Sequence, residues 1–174
     1  MPNAISSATI RSARTSDVPV IRKLIDANVE SGRLLSKATV TLYEDIQEFC
    51  VAELPGISGS HLAGCGAVHV LWEDLAEIRT VAVRDDCRGH GIGRGIVAHL
   101  IERSRGLGVR RVFVLTFAVE FFASHGFKPI NGTPVAAEVY RELLRSYDEG
   151  VAEFLDLERV KPNTLGNTRM LLHL

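Results

Sequence analysis

Residues 81–95 read VAVRDDCRGHGIGRG, an apolar stretch that gives way to alternating glycines and then to residues spaced for one face of a helix. A strand, a glycine turn and a helix start in that order gather backbone N–H groups and the positive end of a helix dipole around one point, which suits phosphate. Glycine is required there because side chains would block close approach of the backbone to the anion. Arg88 and Arg94 flank the turn and can add charge-assisted bonds to the same group.

Spacing decides which phosphate. The dinucleotide fingerprint G-x-G-x-x-G would need glycine at Arg94 or at Ile96, and the loop G-x-x-x-x-G-K-[ST] would need a Lys-Ser or Lys-Thr that does not follow. What stands is Arg88-Gly89-His90-Gly91-Ile92-Gly93. It resembles the (Arg/Gln)-x-x-Gly-x-(Gly/Ala) signature of the GNAT superfamily of acetyl-CoA-dependent N-acetyltransferases. The resemblance implies that Arg88, Gly89, His90, Gly91, Ile92, Gly93 and Arg94 wrap the pyrophosphate of acetyl-CoA, while Val81, Ala82 and Val83 pair with its pantetheine arm.

Other segments narrow the resemblance to N-acetylglutamate synthases. Residues 111–127, RVFVLTFAVEFFASHGF, resemble that family's Leu-Phe-x-Leu-Thr then Trp-Phe-x-x-x-Gly-Phe stretch with one residue missing. Residues 77–83, EIRTVAV, resemble its Gly-Glu-(Ile/Met)-Ala-Cys-(Val/Leu)-Ala-Val strand, with Ala76 for Gly and Thr80 for Cys. Residues 31–37, SGRLLSK, resemble the segment that sets a basic residue against substrate carboxylate, and 163–171, NTLGNTRML, the closing Asn-x-x-Arg-x-Ser-Lys-Val-Leu strand, with Gly166 for Arg. The implied fold is a mixed, mostly antiparallel central sheet with a splayed strand at the acetyl-CoA site and helices on both faces. Long relatives carry an arginine-binding, amino-acid-kinase-like domain for which these 174 residues have no room, and residues 131–160 exceed the matching stretch.

Acetyl transfer from a thioester needs a neutral amine, yet α-amino groups titrate near pKa 8 and are largely protonated at pH 7, so a base is required. The resemblance points to Glu77, acting directly or through one water. Backbone N–H groups near Val81 and Ala82 would stabilise charge on the thioester oxygen if the strand splays there. Thr116, at the end of its strand, orients substrate, and Tyr140 or Tyr147 could donate a proton to the leaving thiolate if the extra helix folds back. An amino-acid substrate brings a carboxylate that needs a cation. Lys37 is the first choice, with Arg79 and Arg169 as alternatives and Thr80 and Leu115 beside them. The implied reaction makes N-acetyl-L-glutamate, the first step toward arginine, with L-glutamine an open alternative acceptor. Two other readings stay open: acetylation of another amine (a protein N-terminus, a polyamine, an antibiotic), and a non-catalytic acyl-CoA-binding sensor.

These residues need one domain of ordinary size to carry them, with an extra helical segment at about 132–160. Acidic and basic residues number 21 and 20, so no sequence-wide footprint for nucleic acid or anionic membrane exists, and no apolar stretch approaches the roughly 20 residues of a bilayer span. Residues 1–14 lack a basic n-region and an apolar h-region, and Cys50, Cys65 and Cys87 lack the spacing of a disulfide framework or zinc site, so the expectation is a reduced, metal-free cytoplasmic protein. Periodicity predicts a strand at 9–13, a helix from Val18 to about Gly32, a second helix through Leu42, Ile46 and Phe49, and extended chain at 50–54 before a Pro55-Gly56 turn. Strands at 62–71 and 76–83 follow, then a helix from 92 ending near Gly106, a strand at 111–116, a brief helix at 121–122, a helix at 135–147 and an edge strand at 169–173. Trp72, Phe113, Phe121, Phe122 and Phe127 read as core, and the apolar residues of 135–157 suit a homodimer contact as well as a core.

Overall fold

The computed structural model describes residues 8–32, 34, 36–55 and 61–174, so Arg33, Leu35 and Gly56 of the segments above, and the N-terminal stretch to residue 7, lie outside it. Strand β1 (Thr9–Ser12) leads into helix α1 (Val18–Glu30), and a short α2 (Thr39–Glu44) precedes β2 (Phe49–Glu53). The long strands β3 (Leu62–Trp72) and β4 (Leu75–Val83) follow, then α3 (Ile92–Gly106), β5 (Arg111–Thr116), α4 (Val119–Ala123) and the two-residue β6 (Lys128–Pro129). Helices α5 (Ala137–Leu143), α6 (Glu149–Phe154) and α7 (Lys161–Thr164) come before β7 (Thr168–His173). The strands form one seven-stranded sheet in the order β1-β2-β3-β4-β5-β7-β6. It is mixed: β1–β2, β2–β3, β5–β7 and β6–β7 pair antiparallel, and β4–β5 parallel over Leu75–Glu77.

The described chain forms two compact units, residues 1–69 with 78–103 and residues 70–77 with 104–174, so β3 and β4 each run through both. In the first unit, the helical spacing of Val18, Ile21, Leu24 and Ile25 lays one face of α1 against a core with Leu42, Phe49, Val51, Leu62 and Cys65. Pro19 fits the first turn of α1, where a backbone N–H has no intrahelical partner. Just before it, the Asp17 carboxylate accepts from the Arg14 backbone N–H (2.8 Å) and from the Arg11 guanidinium (2.8 and 3.0 Å), which holds that carboxyl below the usual carboxylate range. In the second unit, Leu71, Leu75, Phe113, Leu143, Val151, Phe154, Leu155 and Leu171 form the core.

Four expectations need correction. Helix α2 stops at Glu44, Ile46–Glu48 continue as a 3-10 turn, and Phe49 begins β2, because pairing with Ala67 claims the last apolar position of the helical pattern. The C-terminal strand is interior: β7 lies between β5 and β6, and Lys128–Pro129 form the edge. Trp72 is 37% exposed and leaves the core, whereas Phe113, Phe122 and Phe127 are buried. The 135–147 helix shortens to α5.

Gly64 sets how closely α3 lies on the sheet of the first unit. A Cβ there would stand 2.7 Å from the Ala82 carbonyl oxygen and 2.9 Å from Ile96 Cδ1, inside any tolerable contact. A Gly64→Ala change should therefore destabilise the protein by about 1–3 kcal/mol, the cost of overpacking a tight core, read as a lower midpoint in urea unfolding. An unchanged midpoint would show that α3 can back away without loss.

Candidate active site

The anion-binding turn is built as its glycines require. Strand β4 ends at Val83, where the Arg84 N–H still donates to the Ala63 carbonyl (2.7 Å), and Asp85–Cys87 make a 3-10 turn that buries Cys87. Gly89 and Gly91 have φ of 77° and 82°, the left-handed region that side chains rarely enter. The Gly95 N–H donates to the Gly91 carbonyl (3.0 Å), so the α3 ladder starts at Gly91 and the N–H groups of Ile92 and Gly93 belong to its first turn. Arg88, Gly89, His90, Gly91 and Arg94 are exposed around this point, while Ile92 is buried beneath it. Backbone curvature, exposed glycines and flanking guanidiniums give this turn the features of an anion cradle.

Arg88 is held from two sides. Its Nε lies 3.0 Å from the Asp85 carboxylate, and Nη2 donates to Asn28 Oδ1 (3.3 Å) at the end of α1. The buried Asn28 also donates Nδ2 to the Leu24 carbonyl (2.8 Å), and its own carbonyl accepts from the Leu34 N–H (3.2 Å) and the Ser31 hydroxyl (3.0 Å). One residue thus touches both the cofactor turn and the 31–37 segment. The sequence reading missed Asn28, although a polar residue on the apolar face of Ile21, Leu24 and Ile25 is a signal that could have found it.

Strand β4 holds the residue expected to act as base. Glu77, 3% exposed, occupies the last rung of the parallel pair, opposite Phe113. Three residues on, buried Thr80 has φ 58°, an outlier for a β-branched residue, and its carbonyl accepts from the Cys65 thiol (3.7 Å). That break in regular extended backbone directly precedes Val81, Ala82 and Val83.

Lys37 and Arg79 both lie within electrostatic reach of Asp45, whose carboxyl burial pushes upward, as does Glu48, against the opposing pull of His69, Lys37 and Arg79. His69 Nδ1 is 2.6 Å from the Glu48 carboxylate. The Lys37 carbonyl accepts from the Arg22 guanidinium, which fixes the main chain there. In the second unit, Thr116 is buried with its hydroxyl accepting from the Ala118 N–H (2.8 Å), and Leu115 pairs with Arg169. The Tyr140 hydroxyl donates to the Leu155 carbonyl (3.3 Å), and Tyr147 is fully exposed. All three cysteines are buried and free; burial pushes the Cys50 and Cys65 thiols up to about 12. Among the described residues no group of His, Cys, Asp and Glu could hold a metal ion, and no helix is long and apolar enough to cross a membrane.

This strand, turn and helix define an acyl-CoA-dependent transferase fold, and comparison with known proteins agrees: residues 25–127 match the Acetyltransferase (GNAT) family, and the chain belongs to it. It is 62% identical over 164 residues to the amino-acid acetyltransferase of Mycobacterium tuberculosis, which covers 94% of this chain and 92% of that protein. It is 37% identical over 122 residues to the amino-acid acetyltransferase of Neisseria meningitidis, of which it spans only 27%. Among solved structures, Rv2747 of M. tuberculosis in complex with CoA superposes with a TM-score of 0.92 at 61% identity, covering 95% of this chain and 99% of that one. The N-acetylglutamate synthase of Neisseria gonorrhoeae, complexed with CoA and N-acetyl-glutamate, gives 0.74 at 27% identity, covering 96% of this chain and 35% of that one.

Replacing Gly91 by Val tests the cradle. The left-handed backbone costs an L-residue about 1–2 kcal/mol, and the added methyls stand over the turn, so CoA affinity measured by calorimetry should fall by about tenfold or more. Unchanged affinity would mean that the phosphates bind elsewhere.

Proposed function

We propose that this chain transfers the acetyl group of acetyl-CoA to the α-amine of an amino acid, with L-glutamate as the acceptor and the first step of arginine biosynthesis as its place. The observation that carries this reading is the layout of β4. Buried Glu77, the Thr80 break and the glycine turn with its helix start follow one another within 17 residues, counting from 77 to 93. The names of the relatives support an amino acid as acceptor, and the N-acetyl-glutamate bound by the gonococcal enzyme supports glutamate.

Bound acetyl-CoA supplies the activated acyl group. The exposed turn from Arg88 to Arg94 grips its pyrophosphate, and Val81, Ala82 and Val83 pair with its pantetheine arm. Backbone N–H groups just beyond Thr80 face the acyl oxygen and hold the charge that develops there. Glu77 takes the proton of the amine, directly or through one water, as the nitrogen bonds to the acyl carbon; the carbon–sulfur bond then breaks, and CoA leaves as the thiolate and takes up a proton from solvent. Lys37 receives the substrate carboxylate, with Arg79 as its alternative. Three buried, reduced thiols suit the cytoplasm, where we place the reaction.

Release of CoA measured against a panel of amines should show turnover with glutamate or glutamine; none with either would overturn the substrate assignment. A Glu77→Gln variant should lose about 10²–10⁴-fold in kcat, the usual contribution of a positioned base, with CoA affinity unchanged. Parent-like turnover in that variant would remove Glu77 from the reaction.

A further inference from the structure

The longer stretch at 131–160 is fastened to the strands beside Glu77 by two guanidinium groups. Arg169, on β7, donates Nε and Nη2 to the Gly132 carbonyl (3.2 and 3.0 Å), Nη1 to the Glu153 carbonyl (3.0 Å) and Nη2 to the Phe154 carbonyl (2.6 Å). Four of its five N–H groups are thereby directed at main-chain oxygens of one segment. The Glu153 and Phe154 carbonyls lie at the C-terminal end of α6, where carbonyls run out of intrahelical partners and a cation is favoured. The guanidinium carbon also stands 5.0 Å from the centroid of the Phe113 ring and 6.0 Å from that of Phe154, and those two rings meet edge to face at 5.0 Å.

Arg111 makes the matching attachment at the other end. Its Nη1 donates to the Pro134 carbonyl (2.6 Å) and its Nε to the Asp74 carboxylate (3.0 Å). Thr133 and Tyr140 close the segment on itself through the Phe154 and Leu155 carbonyls (3.1 and 3.3 Å). Arg111 and Phe113 are the partners of Leu75 and Glu77 in the parallel β4–β5 pair. That pair has three rungs, and both ends are braced to the same piece of chain. A short parallel ladder needs such bracing, since parallel pairing is the less stable kind per residue. Glu77 itself lies within electrostatic reach of the Arg169 guanidinium.

We infer that Arg169 is a positioning residue for acetyl transfer: through the Phe113 ring and the main chain of Gly132, Glu153 and Phe154 it fixes the rung that carries Glu77, which makes the 131–157 segment part of the catalytic unit. The inference rests on the reading of Glu77 as the base. It also replaces contact with the substrate carboxylate as the role of Arg169.

The test uses Arg169→Met, which keeps bulk without donors, and Arg169→Lys, which keeps charge but cannot span three carbonyls. Both are measured in the full chain beside Glu77→Gln, with the amino acid that the amine panel shows to be turned over. The expected result for Arg169→Met is a kcat lower by about ten- to a hundredfold, the penalty of a small misplacement of a reacting group, with unchanged CoA affinity and acceptor KM. Backbone amides of 131–157 should exchange hydrogen faster, and Arg169→Lys should fall between Met and parent. A kcat within twofold of the parent overturns the inference, and so does a rise in acceptor KM alone, which would place Arg169 on the substrate. Should the Met variant fail to fold, the Lys variant decides by the same two readouts. Parent-like turnover in Glu77→Gln with a slowed Arg169→Met removes the base assignment and with it the route by which Arg169 acts. A slowed Glu77→Gln with an unaffected Arg169→Met removes the positioning role alone.

Discussion

The absence of a side chain at Gly64 lets α3 lie close enough to the sheet for its N-terminus to meet the end of β4. Ile92 and Ile96 fill the space that a Cβ would take, and the Ala82 carbonyl stands on the far side of the same gap. An anion gripped at a helix start is useful only if the rest of the molecule attached to it reaches a reactive group. The close approach in the first unit makes the phosphate cradle and the strand beyond Thr80 neighbours along one path of backbone. Thr80 then turns that path out of regular extension.

Around this frame the charged groups are held by geometry more than by number. Arg88 is shared between Asp85 and Asn28, Lys37 is fixed through its own carbonyl by Arg22, and Arg79 stands in a neighbourhood with Asp45. None of these arrangements draws on net charge, which is −1 for the chain. The exposed Arg88–Asp85 ion pair contributes little to stability, typically about 0–1 kcal/mol, so its value lies in orientation. Arg169 differs because it is partly buried and gives up solvent for carbonyls and aromatic faces, which depresses its pKa from the usual arginine value.

Features with a local signal were legible in the sequence. The 92–106 helix, the glycine turn, the 111–116 strand and the run through Glu77 follow from periodicity and spacing over a dozen residues, and the structure has them at those places. Long-range pairing was not legible. Nothing within 168–173 says that β7 inserts between β5 and β6, because that depends on a partner 41 to 43 residues upstream, at Lys128–Pro129, as well as on β5. Phe49 left its helical pattern for the same reason, since a register with Ala67 outweighs helical spacing. The anchoring of 131–160 by Arg111 and Arg169 escaped because side chain to backbone bonds leave no periodic trace.

Thr80 has a further consequence. A β-branched residue in the left-handed region carries a conformational cost of about 1–3 kcal/mol that the surrounding fold must outweigh. Glycine or asparagine would sit there more comfortably. Mutagenesis that selects only for heat tolerance would therefore be drawn to this position, and its gains would accumulate at the acyl end of the site, where a looser backbone trades durability against turnover.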